Sequence, residues 1–87
     1  MTLGQNKTLE VSFNYASDSD PSPLVTIHNA LILIPSLSDQ VARFGLHKPK
    51  EGSSTMIGHL KGGRENFVNM IYSYGFKIVS TPAQPID

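Results

Sequence analysis

The sequence predicts an α+β domain: a small single-layer sheet, mixed or antiparallel, with two helices packed on one of its faces. Three observations predict it. "TLEVSFNYA" alternates, with Leu9, Val11, Phe13 and Tyr15 on one side and Thr8, Glu10, Ser12 and Asn14 on the other. That period of two is the mark of a strand with one buried and one wet face. "RENFVNMIYSYG" repeats at helical spacing instead. Phe67, Ile71 and Tyr74 share a face that Val68 and Tyr72 widen, and Gly75 offers the left-handed stop that glycine tolerates. "FKIVS" then returns to the strand period, with Phe76, Ile78 and Ser80 opposite Lys77 and Val79.

The remaining elements follow in chain order. "SDSDPSP" collects residues that break regular structure, so it reads as a loop. Asp18 and Asp20 fall in it without the glycine turn and distal Glu of a calcium loop, so no metal is expected. "LVTIHNALILI" is apolar on both faces and rich in β-branched residues, so residues 24–34 are expected as a central strand, with a kink or turn near His28 and Asn29. A helix capped by Ser22 is the competing reading. "SLSDQVARFG" is expected as a short helix capped by Ser36, with Asp39 in its first turn, Leu37, Val41 and Phe44 inward, and Gly45 as its stop. "TMIGHL" reads as a short strand weakened by Gly58. The resulting order is β-β-α-β-α-β. It resembles a variant of the ferredoxin-like sandwich that lacks a helix between its first two strands.

Eighty-seven residues leave room for one core, so residues 1–87 are expected as one domain, with loose ends at about 1–7 and 81–87. A core this small supports a few kcal/mol of stability, which dimerisation would raise. The chain has no cysteine, which excludes disulfides and thiolate metal sites. "ALILI", the longest apolar run, is far short of a membrane span. The N-terminus has neither the apolar core nor the basic flank of a secretion signal, so a cytoplasmic location is expected.

Net charge is zero, with a mildly basic middle. Lys48, Lys50, His59, Lys61, Gly62, Gly63 and Arg64 are the candidates for holding an anion or nucleic acid. A double glycine before a helix lets backbone N–H groups approach a phosphate or carboxylate. The segment matches neither the phosphate-loop nor the dinucleotide fingerprint. The three histidines lack zinc spacing and no nucleophile-and-base signature occurs, so no cofactor is expected, and an enzyme whose site is assembled only in space is the third reading after the interaction module and the anion or nucleic-acid binder. The leading expectation is a protein–protein interaction module, an adaptor or inhibitor that contacts another protein or a second copy of itself. Leu31, Ile32, Leu33, Ile34 and Ile78 are its interface candidates, being more apolar or nearer a sheet edge than a solvated surface needs.

Overall fold

Strand alternation is realised where the side chains demanded it. In a computed structural model, which describes residues 7–80, β1 (Lys7–Asn14) turns Leu9 and Val11 fully inward. Phe13, on the same side, packs against the core. Tyr15 departs from the alternation: it lies beyond the end of β1 and is exposed. β2 (Leu24–Ile27) buries Val25 and Ile27. It pairs antiparallel with β1, placing Val11 beside Ile27 and Phe13 beside Val25. β3 (Met56–His59) pairs antiparallel with β2, and β4 (Phe76–Ser80) pairs parallel with β1. The sheet is therefore mixed, in the order β3-β2-β1-β4. Of the ends expected to be loose, Lys7 opens β1, and residues 1–6 and 81–87 lie outside the described residues.

The apolar run after β2 corrects the expected long strand. β2 stops at Ile27, and Ala30–Ile32 forms a single 3-10 turn. Asn29 ends the strand with its side chain. Its Oδ1 accepts the Glu10 amide at 2.9 Å, and its Nδ2 donates to the Thr8 carbonyl at 2.9 Å. The amide group thus occupies the place beside β1 that a further strand residue would take, and the backbone is released to turn. Ala30 is then buried, while Leu31 and Ile32 point outward.

The first helix, α1 (Pro35–Arg43), starts two residues earlier than the Ser36 cap implies, with Ile34 in the cap position. Ile34 is extended at φ −74°, ψ 156°, as a residue before proline prefers, and Pro35 supplies the preset φ of a first helical residue. Leu37 and Val41 are buried, and Gly45, at φ 103°, stops the helix as expected. α2 (Arg64–Ser73) buries Phe67 and Ile71, with Tyr74 packed against the core beside them. Tyr72 does not widen that apolar face; it is half exposed. Side chains from both helices join Leu9, Val11, Val25 and Ile27 in one core cluster, so both helices cover the same sheet face. No helix among the described residues is long and apolar enough to cross a membrane.

Gly58 proves to be a slot rather than a weak point. The chain leaving α1 crosses β3 there, so a side chain at Gly58 would meet the Gly45 carbonyl and, at 3.0 Å, the Leu46 Cα. Beyond the crossing, His47 and Ile57 exchange both backbone hydrogen bonds, at 3.0 and 2.8 Å. The Lys61 amide donates to the Phe44 carbonyl at 2.8 Å.

The loop between β1 and β2 is ordered by Asp20. Its carboxylate accepts the Ala16 and Ser22 amides, each at 2.9 Å. These bonds, first from Ala16 and then from Ser22, with a smaller attraction from His59, hold its pKa below the ordinary 3.8. A depressed folded pKa means that this stabilisation is full above the unfolded value and is lost as pH falls through the folded one. Between about pH 5 and pH 2 the parent chain is therefore expected to lose more stability than Asp20→Asn. Urea unfolding at both pH values checks this; equal losses would show that the carboxylate contributes nothing to the loop.

Candidate functional site

The basic candidates divide into two groups. His47 sits opposite Ile57, and the chain before it runs back along β3 towards Lys61. Lys48 and Lys50 therefore continue past the Met56 end of β3, whereas Lys61 and the double glycine follow its His59 end. One shared basic patch is not assembled.

At the double glycine the backbone has the geometry the residues suggest, with φ of 84° at Gly62 and 90° at Gly63. Gly63 is the cap residue of α2. The surrounding groups, however, partner one another. Asn66 Nδ2 donates to the Gly62 carbonyl at 2.7 Å. Glu65 places its own negative charge in the first turn of the helix. The Arg64 guanidinium lies 4.5 Å above the centre of the Phe13 ring, a cation–π position. His59 Nδ1 lies 3.2 Å from the Ser22 carbonyl oxygen, to which it donates when protonated. Lys61 is exposed. Of the two cations near this helix start, Arg64 is thus held by an aromatic face.

One hydroxyl–imidazole contact escaped the sequence reading. Ser12 Oγ and His28 Nε2 are 2.6 Å apart, close enough for proton transfer. Ser12 lies on β1 and His28 is the first residue after β2, and they meet on the sheet face opposite the helices. Nothing in the sequence marks the pair, because its members are sixteen positions apart and meet only through strand register. Among the described residues no cluster of three or more metal-ligating side chains occurs.

The apolar candidates also separate. Leu31 is 66% exposed, Ile32 39% and Ile34 39%. Leu33 turns inward and packs on the core. The three outward side chains form a ledge whose backbone is pinned on both sides. The Ala30 amide donates to the Ser54 carbonyl at 2.8 Å, and the Leu33 amide to the Ala30 carbonyl at 3.1 Å. Pro35 then fixes the exit into α1.

Ile78 belongs to a different surface, across β1 from β2. It lines an open groove of about 490 Å³ with Tyr72, Gly75, Phe76 and Lys77. This groove lies where the C-terminal turn of α2 meets the terminal strand. Of these groove residues only Ile78 was an interface candidate from the sequence. The available signal was Tyr72, an aromatic residue just off the stripe set by Phe67 and Ile71. No family model, no curated protein and no solved structure matches the chain.

Proposed function

We propose that this chain is a small non-catalytic interaction module, of adaptor or inhibitor type, that self-associates through its aliphatic ledge. The observation supporting the reading is the joint exposure of Leu31, Ile32 and Ile34 on a pinned backbone. Scattered exposed apolar residues are ordinary, but a contiguous group marks a surface that gains by being covered. Burying apolar area contributes roughly 25 cal/mol per Å² before the costs of association. A rigid ledge reduces those costs, since little backbone freedom remains to be lost on contact.

Light scattering across a concentration series tests this. The mass is expected to rise from one chain of 9.5 kDa towards twice that value. Leu31→Glu combined with Ile34→Glu is expected to hold the mass at one chain. Both side chains are already exposed, so the unfolding free energy from urea titration should change by no more than about 0.5 kcal/mol per site. A parent mass of one chain up to about millimolar concentration would remove self-association through this surface, since a dimer that weak has only about 4 kcal/mol of binding energy.

A further inference from the structure

The sheet has two edges, and the chain treats them differently. The β3 edge is closed by residues 44–47, through the His47–Ile57 exchange and the Lys61–Phe44 bond. The β4 edge is left open: β1 takes its inner side, and among the described residues nothing pairs with its outer side. An open edge presents alternate N–H and C=O groups ready to template another strand. Natural edges are blunted by charged side chains, lysine above all, and by proline, bulges or inward charges, and of these devices β4 carries a single lysine. β4 has no proline and no glycine, pairs with β1 in an unbroken register, and carries Lys77 as its one charged residue.

The two sides of that edge differ in chemistry. On the helix side, Phe76 and Ile78 combine with Tyr72, itself 52% exposed, to line the open groove. On the other side stands Lys77, exposed, with Val79 beside it. Lys7, paired in register with Phe76, adds a positive charge on the helix side at that end, its Nζ 5.7 Å from the ring centre. Among the described residues neither lysine forms an ion pair.

We infer that the outer edge of β4 docks an extended segment of another protein in which acidic and aliphatic residues alternate, added as a fifth strand beside α2. Main-chain hydrogen bonds supply the pairing, and alternate side chains supply the selectivity. Every second residue enters the groove between Tyr72 and Ile78. The intervening residues face Lys77. Charge argues against a second copy as occupant. Two β4 strands paired antiparallel about Ile78 would set Lys77 roughly 7–8 Å diagonally from its counterpart on the same face, and an acidic strand converts that repulsion into attraction. The site shares the interaction-module reading but not the ledge, so either surface can fail alone.

The test is an amide chemical-shift titration of the full chain with the blocked peptide acetyl-Glu-Val-Glu-Val-Glu-Val-amide at low salt. Shifts are expected at residues 76–80 and at Tyr72, and none at Leu31, Ile32 or Ile34. Replacing each Glu of the peptide by Lys is expected to weaken binding about tenfold, and added salt to weaken the Glu peptide. Lys77→Glu, at an exposed position, is expected to reverse the preference between the two peptides. Methylating alternate backbone nitrogens of the peptide should abolish binding in one of the two offset versions and spare it in the other. The inference is overturned by an absence of shifts at about millimolar peptide, by equal binding of the Glu and Lys peptides, or by equal binding of both methylated versions. It is also overturned if shifts at residues 76–80 grow with protein concentration alone, since a second copy would then be the occupant.

Discussion

Gly58→Ala is expected to destabilise the fold by about 3 kcal/mol, at the upper end of the range for overpacking. A methyl group there would overlap the carbonyl of Gly45 and press on the Cα of Leu46. Both are backbone atoms, so no side chain can rotate out of the way. Relief requires residues 45–47 to lift from β3, which stretches the paired bonds between His47 and Ile57. The effect is steric rather than conformational, because Gly58 is not among the glycines held at positive φ. Gly52→Ala provides the contrast. Its backbone sits at φ 81° with nothing within 4 Å of the new methyl, so it is expected to cost only about 1 kcal/mol. Urea denaturation of both variants separates the two causes, and loss of hydrogen-exchange protection at the His47 amide locates the damage. A Gly58→Ala protein no less stable than Gly52→Ala would mean that the chain does not cross β3 at this point.

That crossing illustrates which parts of the molecule could be seen in the sequence. β1, α2 and β4 were legible because each buries one side against the core, and a one-sided burial leaves its period in the residue order. Gly58 was legible only as an interruption, since the segment that fills its space lies more than ten positions away in the chain. Residues 24–27 form the expected strand and the chain turns at His28 and Asn29 as expected, but residues 30–34 were misread for a related reason. "ALILI" looks like a strand buried on both faces, yet Ala30 and Leu33 pack on the core while Leu31, Ile32 and Ile34 face solvent. Composition alone does not distinguish apolar side chains buried together from apolar side chains left outside. Two local signals did point the right way. Pro35 favours an extended Ile34 before it and a helix beginning at itself. Asn29 is a natural strand terminator, although its partners Thr8 and Glu10 become visible only when β1 lies alongside.

The same distinction applies to the surfaces. Lys48, Lys50, Lys61 and Arg64 are close in sequence, but the chain reverses along β3 and sends the two pairs to opposite ends of it. Sequence proximity is then a poor guide to a charge patch. The β4 edge depended on sheet order, which is a set of long-range pairings. A terminal strand can lie at the centre or the edge of a sheet without changing its own alternation. What the residues did specify was the strand's two-sided chemistry, with Phe76 and Ile78 opposite Lys77. The groove exists because the turn at Tyr74 and Gly75 brings the end of α2 directly over the start of β4.

Phe67→Ala is expected to remove about 3–5 kcal/mol, most or all of the stability available to a domain of this size. Phe67 is the largest fully buried side chain, and it connects three elements. Its ring meets Phe13 of β1 edge-on, at 6.2 Å between centres and 85° between planes. It meets Phe44, at the end of α1, at 5.6 Å and 67°. Each such pair is worth roughly 0.5–1.5 kcal/mol beyond its buried area. Truncation leaves a cavity that two rigid rings and a sheet cannot easily close. Phe13 is also the ring beneath the Arg64 guanidinium, so the first turn of α2 loses order together with the core. Phe67→Leu retains much of the volume and is expected to keep a cooperative transition at a smaller loss, about 1–2 kcal/mol. Far-UV circular dichroism against urea reads both variants. If Phe67→Ala kept an unfolding free energy within about 1 kcal/mol of the parent, α2 would not be packed on the sheet through this face, and the groove beside β4, which depends on that packing, would have no fixed wall.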